Sequence, residues 1–212
     1  MYIPQHFEER RPEVLHALMC AHPLATLVTR TPEGLAANHI PLHLYAGAAG
    51  GDTLRGHVAR ANPLWSDRLE ESEALAVFQG PDAYVSPSWY PSKQDNGKVV
   101  PTWNYCAVHA YGVLRIHEEA EWIRAQVEAL TGWQESSASQ PWAVADAPRE
   151  YIDTMLRHIV GIELVITRLL GKWKMSQNQT ARNRAGVLAG LAGRDDASSA
   201  QVAALMRERE GR

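Results

Sequence analysis

The feature that most constrains the fold is a series of short strand-like runs separated by breaks that contain proline or glycine. The first two runs cover 24–30 and 35–45. Between them, residues 31–34 read Thr-Pro-Glu-Gly, where proline presets the second turn position and glycine can adopt a positive φ. These runs predict a β-hairpin, and Pro41 predicts an edge or a bulge because proline cannot donate to a ladder. Such a start predicts a meander of antiparallel strands.

Strand-like runs recur along the chain, and helical patterns are inserted between the later ones. The predicted strands continue over 53–58, 73–79, 83–86, 102–117 and 161–170, and the helical patterns cover 12–22, 63–69, 118–132, 148–159 and, with a break near 193–196, 180–209. This order predicts an α+β fold with a β-barrel or curled sheet at its centre and peripheral helices. The 212 residues, of which 45% are hydrophobic, suit a single domain over 1–212, with 171–212 as a C-terminal loop and helices.

Several classes of protein are excluded by local composition. The sequence has no uninterrupted apolar stretch of the length a transmembrane helix needs, and its start lacks the regions of a signal peptide. We therefore expect a cytoplasmic protein with no membrane partner. Cys20 and Cys106 are far apart and show no metal or redox spacing. His39 and His43 lie four apart on a strand pattern, for which we expect packing or hydrogen bonding and not a metal site.

Charge is distributed unevenly along the chain. Residues 1–171 contain 13 Lys/Arg and 20 Asp/Glu, whereas residues 172–212 contain 8 and 4. A basic tail on an acidic body either binds nucleic acid or docks on the body, and this excess is too small to choose between them.

Aromatic residues that carry a polar atom are unusually prominent. The chain has seven Trp and seven Tyr against two Phe, and it has nine His. Signatures of hydrolases, zinc proteases and phosphate loops are absent from the sequence. Instead, polar clusters near strand ends occupy 38–41, 56–63, 83–90, 100–105 and 172–178. Aromatic planes beside amides and cations suit a conjugated ring that carries a phosphate, although core edges and nucleic-acid surfaces use the same residue types.

In these clusters the chain resembles the PaiB-type FMN-binding negative transcriptional regulators. The resemblance is carried in order by Met1–Pro4, Phe7, Asn38–Pro41, Gly56–Pro63, Phe78–Pro81, Tyr84–Tyr90, Val100–Tyr105, His109–Gly112 and Lys172–Asn178. It spans nearly the whole chain. The sequence departs from the family pattern at Gln179-Thr180, where Arg-Pro is common, and at Leu64, where a polar residue is usual.

The resemblance implies a split-barrel fold related to the pyridoxamine phosphate oxidases, in which homodimers bind FMN in the groove between subunits. It implies that Asn38, His39, Ile40 and Pro41 border the flavin ring, that His57, Arg60 and Asn62 lie near its phosphate, and that Trp103, Asn104, Lys172, Lys174 and Ser176 are candidates for the second subunit's contribution. For Trp103 the alternative role is to close the barrel core.

Two functions remain possible at this point. A third possibility is a protein that binds flavin but neither represses transcription nor catalyses a reaction. The first is a cytoplasmic, FMN-binding homodimer that represses transcription, with promoter DNA as a candidate partner. The second is a flavin-dependent oxidoreductase or oxygenase that acts on a small planar substrate or haem. The helical patterns in 180–209 look like packing faces, which argues against a DNA-reading element there. The sequence identifies no catalytic residues, and flavin chemistry needs few because the cofactor itself carries the electrons.

Overall fold

One antiparallel sheet dominates the computed structural model, which describes residues 1–47, 51–68 and 72–210. The strands are β1 (Glu8–Glu9), β2 (Leu24–Thr31), β3 (Gly34–Pro41), β4 (His43–Tyr45), β5 (Thr53–Ala59), β6 (Glu73–Val85), β7 (Thr102–His117) and β8 (Ile159–Lys174). The helices are α1 (Pro12–Ala21), α2 (Leu64–Asp67), α3 (Lys93–Asn96), α4 (Ala120–Glu135), α5 (Arg149–Leu156), α6 (Ala181–Ala192) and α7 (Ala197–Glu210). The sheet order is β3-β2-β6-β7-β8-β5-β4, with β1 beside β8. The α+β prediction is confirmed.

The predicted hairpin is present, but its second strand is shorter than expected. β2 and β3 pair along their whole length, and Gly34 supplies the positive φ of the turn, at 127°. The strand predicted over 35–45 ends at Pro41, and β4 pairs with β5 instead of continuing beside β2. The buried Leu42 lies at the break, and its backbone N–H donates to the Pro23 oxygen at 2.9 Å.

Two predicted breaks do not occur in the structure. The runs over 73–79 and 83–86 form one strand, β6, which passes through Gly80 and Pro81. A Cβ on Gly80 would lie 2.5 Å from the Cys106 sulfur, so glycine serves close packing there and not a turn. In the same way α4 continues past Gly132, where a Cβ would meet nothing within 4 Å. One exposed glycine costs a helix only about 1 kcal/mol, which is too little to end it.

The last strand is longer than predicted at both ends. β8 begins at Ile159 and continues through Lys172 and Lys174, which the sequence places beyond the strand. Its final residues pair with β1, in the register Glu9↔Gly171 and Glu8↔Lys172. The lysines therefore project from regular sheet, which fixes their backbone.

The chain divides into two compact units. Unit 1 comprises Met1–Leu18, Gln79–Val108 and Leu170–Arg212, and unit 2 comprises Met19–Phe78 and His109–Leu169. Unit 1 buries apolar side chains of β6, β8, α6 and α7, among them Val85, Trp173, Val187, Leu191, Val202 and Met206. Unit 2 buries those of β2, β5, β6 and β8 together with α4, among them Leu27, Leu54, Phe78, Ile123, Ile162 and Leu164.

The end of the helix predicted over 63–69 lies outside the described residues. Among the helices that are described, none is both long and apolar enough to cross a membrane.

Candidate functional site

In unit 2 an amide pair joins two of the predicted positions. Asn38 lies on β3 and Asn62 follows β5, and the Asn62 amide nitrogen donates to the Asn38 side-chain oxygen at 2.9 Å. The Asn62 oxygen accepts from the Leu64 backbone N–H, also at 2.9 Å, although the residue that caps α2 is Pro63 and not Asn62. Both amides are therefore held in fixed orientations.

The neighbouring residues of β3 are held by the sheet. His39 faces Thr26 across the β2–β3 pair, and its Nδ1 lies 3.1 Å from the Thr26 hydroxyl. Ile40 is buried and Pro41 is exposed. A Cβ on Gly56 would lie 2.7 Å from the Pro41 oxygen, so glycine on β5 permits the close approach of this segment.

His57 contacts a buried amide that the sequence analysis did not single out. Its Nδ1 lies 2.9 Å from Oε1 of Gln126, which projects from α4 and is 3% exposed. The Gln126 Nε2 is buried and has no hydrogen-bond partner among the described residues. An unpaired buried donor costs about 1–3 kcal/mol, so it marks a position where a ligand acceptor would be stabilising.

The Arg60 guanidinium is positioned by three acceptors. Nε donates to the Arg157 backbone oxygen at 3.0 Å, Nη2 donates to the Ile159 backbone oxygen at 3.3 Å, and Nη1 donates to the Glu118 carboxylate at 2.7 Å. The Arg60 and Glu118 side chains are 38% and 56% exposed. Exposed ion pairs contribute little stability, so an incoming anion can replace the carboxylate while the two carbonyls keep the guanidinium in place.

Arg60 also lines a cleft in unit 2. The cleft has a volume of about 660 Å³ and is lined by Arg60, Glu118, Ala120, Glu121, Ile123, Arg124, Asp153, Leu156 and Arg157. This volume lies within the range of ~300–1,000 Å³ that is usual for small-molecule sites.

Of the predicted lysines of unit 1, Lys172 is buried and Lys174 is half-buried. The Lys174 ammonium donates to the Thr102 hydroxyl and, at 2.6 Å, to the Trp103 backbone oxygen. Burial and the nearby Lys172 lower the pKa of Lys174. Lys172 is 8% exposed and donates to the Tyr2 backbone oxygen at 3.1 Å.

Asn104 and Ser176 form a buried pair in unit 1. The Asn104 amide nitrogen and the Ser176 hydroxyl lie 3.0 Å apart, and the same hydroxyl lies 3.1 Å from the Asn104 oxygen. Ser176 has φ 62°, in the left-handed region that non-glycine residues rarely adopt. Such a conformation costs of order 1–3 kcal/mol and persists where the surroundings hold it, which the Asn104 amide does here.

The aromatic residues of unit 1 divide into two groups. Trp103 is 52% exposed, and its ring meets that of Tyr84 edge to face at a centroid distance of 5.9 Å. Trp89 instead packs on α6, where a Cβ on Gly190 would lie 2.2 Å from its ring. Trp103 is therefore open to a ligand, whereas Trp89 has a packing role.

A small cavity in unit 1 adjoins Lys174. It has a volume of about 170 Å³ and is lined by Phe7, Tyr90, Val100, Pro101, Thr102, Asn104, Lys174, Ser176, Asn178 and Gln179. Most of these positions belong to the polar clusters found in the sequence. Phe7 and Gln179 lie outside those clusters, and the sequence did not predict that they line the same cavity.

The sequence contained one usable signal for the missed Gln126. The structure buries Ile123 and Gln126 on α4. A glutamine three residues after a buried isoleucine lies on the same helix face, and a polar residue at such a position indicates a specific partner.

Comparisons with known proteins identify the family. The family described as "Putative FMN-binding domain" matches residues 1–168. An uncharacterised protein of Emericella nidulans is 34% identical over 244 residues, which cover 99% of this chain and 97% of that protein. The Bacillus subtilis protease synthase and sporulation protein PAI 2 is 28% identical over 99% of this chain and 98% of its own.

A solved structure supports the fold. The FAD- and haem-binding protein from Mycobacterium smegmatis superposes with a TM-score of 0.58 at 18% sequence identity, over 88% of this chain and 80% of that one.

The donors of unit 2 fit FMN chemically. The flavin ring presents carbonyl and ring-nitrogen acceptors, and its tail carries a phosphate. The amide of Gln126 and the guanidinium of Arg60 are groups that bind such acceptors. The chain therefore belongs to the PaiB-type FMN-binding family, with the split-barrel fold and with FMN as its cofactor.

Proposed function

We propose that this protein is an FMN-binding negative regulator of transcription of the PaiB type, acting in the cytoplasm as a homodimer. The observation that carries the proposal is the extent of the similarity to PAI 2, which covers 99% of this chain. It therefore extends past residue 168, where the family match ends, into α6 and α7.

In this proposal the polar residues of unit 2 hold the flavin. Arg60 binds the phosphate in exchange for Glu118, and His57 with Asn62 completes that end of the site. The segment 38–41 borders the ring. Bound FMN supplies reversible electron acceptance, so its redox state is a signal that a regulator can report.

The remaining predicted contacts lie in unit 1. Trp103, Asn104, Lys172, Lys174 and Ser176 are proposed as the second subunit's contribution beside the flavin.

Three arginines of the C-terminal segment, Arg182, Arg194 and Arg209, have partners within unit 1. Arg182 pairs with Asp95 at 2.8 Å, Arg194 donates to the Tyr84 oxygen at 3.4 Å, and Arg209 pairs with Glu9 at 2.6 Å. Val187 and Val202 on the same helices are fully buried. The α6–α7 pair therefore serves packing, and the proposal does not assign it as a DNA-reading element.

A gel-shift titration in rising salt tests the regulatory role. DNA from the region upstream of the protein's own gene is mixed with FMN-free and FMN-loaded protein. We expect retardation at low salt that weakens steeply with salt, because phosphate contacts release counterions, and a difference between the two protein forms. No retardation of either form at low salt would refute direct DNA binding.

A flavin-dependent oxidoreductase is the second candidate, favoured by the exposed Trp103 and Tyr84 pair. Exposed aromatic faces can stack a planar substrate. In anaerobic buffer NAD(P)H is then expected to bleach the visible absorbance of the bound flavin. A spectrum that no tested reductant changes would rule against this candidate.

A further inference from the structure

The Gln126 amide is placed by the way α4 packs on the sheet of unit 2. Gly161 is the register partner of His57 in the β5–β8 pair, and a Cβ on Gly161 would lie 2.4 Å from the Trp122 ring. The missing side chain therefore lets α4 approach the sheet closely at this point. Trp122 and Gln126 are four residues apart on α4 and share one face of the helix, so the same approach brings Gln126 onto His57.

The contact between Gln126 and His57 has a defined direction. The Gln126 Oε1 can only accept a hydrogen bond, and it lies 2.9 Å from the His57 Nδ1. Nδ1 must therefore carry a proton. In a neutral imidazole one ring nitrogen donates and the other accepts, so Nε2 of His57 is then an acceptor.

A ligand would hold the amide in this orientation. Gln126 is 3% exposed, and its Nε2 is buried with no hydrogen-bond partner in the described part of the chain. An acceptor on the ligand, such as a flavin carbonyl oxygen, would satisfy this nitrogen. With Nε2 directed to the ligand, Oε1 stays on His57. The one amide therefore links the position of a ligand acceptor to the tautomer of His57.

We propose that Gln126 is a positioning residue that holds His57 with its proton on Nδ1, so that Nε2 accepts a hydrogen bond from a ligand hydroxyl. The inference rests on the proposed function, in which the ligand is FMN, and deepens it. FMN carries hydroxyl groups on the ribityl chain between its ring and its phosphate, and such a hydroxyl is the donor that Nε2 selects. Arg60 then binds the phosphate, and His57 binds the chain beside it.

Nitrogen NMR of the flavin-free protein with 15N-labelled histidine tests the tautomer directly. The spectrum is recorded at pH 8.5, above the range in which free histidine titrates, and the His57 signals are those missing from His57→Gln. We expect the proton on Nδ1, although free imidazole side chains favour it on Nε2. Gln126→Leu removes the acceptor and is expected to return the proton to Nε2. Gln134→Leu, at an exposed glutamine of the same helix, is the matched control and leaves the signals unchanged.

FMN affinity gives a second measurement on the same variants. The dissociation constant of FMN is expected to rise roughly 3–10-fold in Gln126→Leu, because a hydrogen bond is lost. In Gln126→Glu it is expected to rise further, since a carboxylate still accepts from Nδ1 but cannot donate to the flavin and opposes the phosphate charge. Gln134→Leu is expected to bind FMN as the wild type does.

Two results would overturn the inference: a wild-type His57 whose proton lies on Nε2, or a Gln126→Leu variant whose proton stays on Nδ1. The wild-type spectrum alone decides if Gln126→Leu does not fold. Either result leaves FMN binding, and with it the proposed function, intact. A protein that shows the Nδ1 proton but does not bind FMN would instead refute the proposed function and the ribityl contact, while the role of Gln126 towards His57 would stand.

Discussion

Glu9 shows how a single side chain joins the two ends of the chain. Its carboxylate is 5% exposed and accepts from Arg11 Nε at 2.8 Å and from Arg209 Nη2 at 2.6 Å. The Arg11 contact, followed by those with Arg209, outweighs burial and lowers the pKa of Glu9 to about 2. The C-terminal helix α7 is thereby fixed to β1.

The depressed pKa of Glu9 predicts how stability depends on pH. The ionised form is stabilised in the folded state, so its contribution is complete above the ordinary pKa of 4.5 and is lost as the pH falls towards 2. Glu9→Gln is expected to lower the free energy of unfolding by about 2 kcal/mol at pH 7 and by less at pH 3.

Urea unfolding of both proteins across that pH range measures the effect. Glu8→Gln is the control, because Glu8 pairs with an exposed Arg10 and contributes little. A difference between wild type and Glu9→Gln that stays constant from pH 7 to pH 3 would contradict this assignment.

Arg60 gives a prediction for the cofactor. Arg60→Ala is expected to raise the dissociation constant of FMN roughly 10–100-fold, because a charge-assisted contact to the phosphate is lost. Arg60→Lys retains the charge and is expected to recover part of the affinity. Flavin fluorescence titration measures both, and Arg149→Ala, at a side chain that is 91% exposed, is the control. Equal affinities of wild type and Arg60→Ala would remove Arg60 from the site.

At the scale of elements, α6 is shaped to receive Trp89. A Cβ on Gly186 would lie 2.0 Å from the Trp89 backbone oxygen, and one on Gly190 would lie 2.2 Å from the Trp89 ring. These glycines are four residues apart and therefore share one face of the helix. Because Gly186 and Gly190 have no side chain, α6 lies closer to the segment after β6 than it could with any other residue at these two positions.

Two alanine substitutions with opposite expected signs test this packing. Gly190→Ala is expected to destabilise the protein by about 1–3 kcal/mol through overpacking. Gly132→Ala in α4, where a Cβ meets nothing, is expected to stabilise it by about 0.5–1 kcal/mol. The melting temperatures of the two variants and of wild type, measured by thermal unfolding, test both expectations. A Gly190→Ala variant that is as stable as wild type, or more stable, would show that α6 does not pack closely on Trp89.

Elements with a strong local pattern were predictable from sequence, whereas those set by distant partners were not. The alternation over 102–117 predicts β7 with its observed bounds. The end of β8 was missed because Gly171 and two lysines hide the alternation, and its partner β1 has only two residues.

The contacts of the candidate site were also not predictable from a local pattern, because they join residues that are far apart in the sequence. His57 meets Gln126 across 69 residues and Arg60 meets Glu118 across 58, and no local pattern encodes such contacts.

At the scale of the whole molecule, the comparisons and the described contacts lead to an FMN-binding protein of the PaiB type. The homodimer and the regulatory role stay predictions. The many Trp, Tyr and His residues do not all have the same role. Trp103 is open to a ligand, whereas Trp89 packs on α6. The basic C-terminal segment is likewise used within unit 1, where Arg209 binds Glu9.

The visible spectrum of the purified protein tests the central claim most directly. The protein is incubated with excess FMN, passed through a desalting column and measured for flavin and protein content. We expect the two visible flavin bands with about one FMN per chain, and reduced retention of FMN by Arg60→Ala. A folded protein that leaves the column colourless after this treatment would contradict the account.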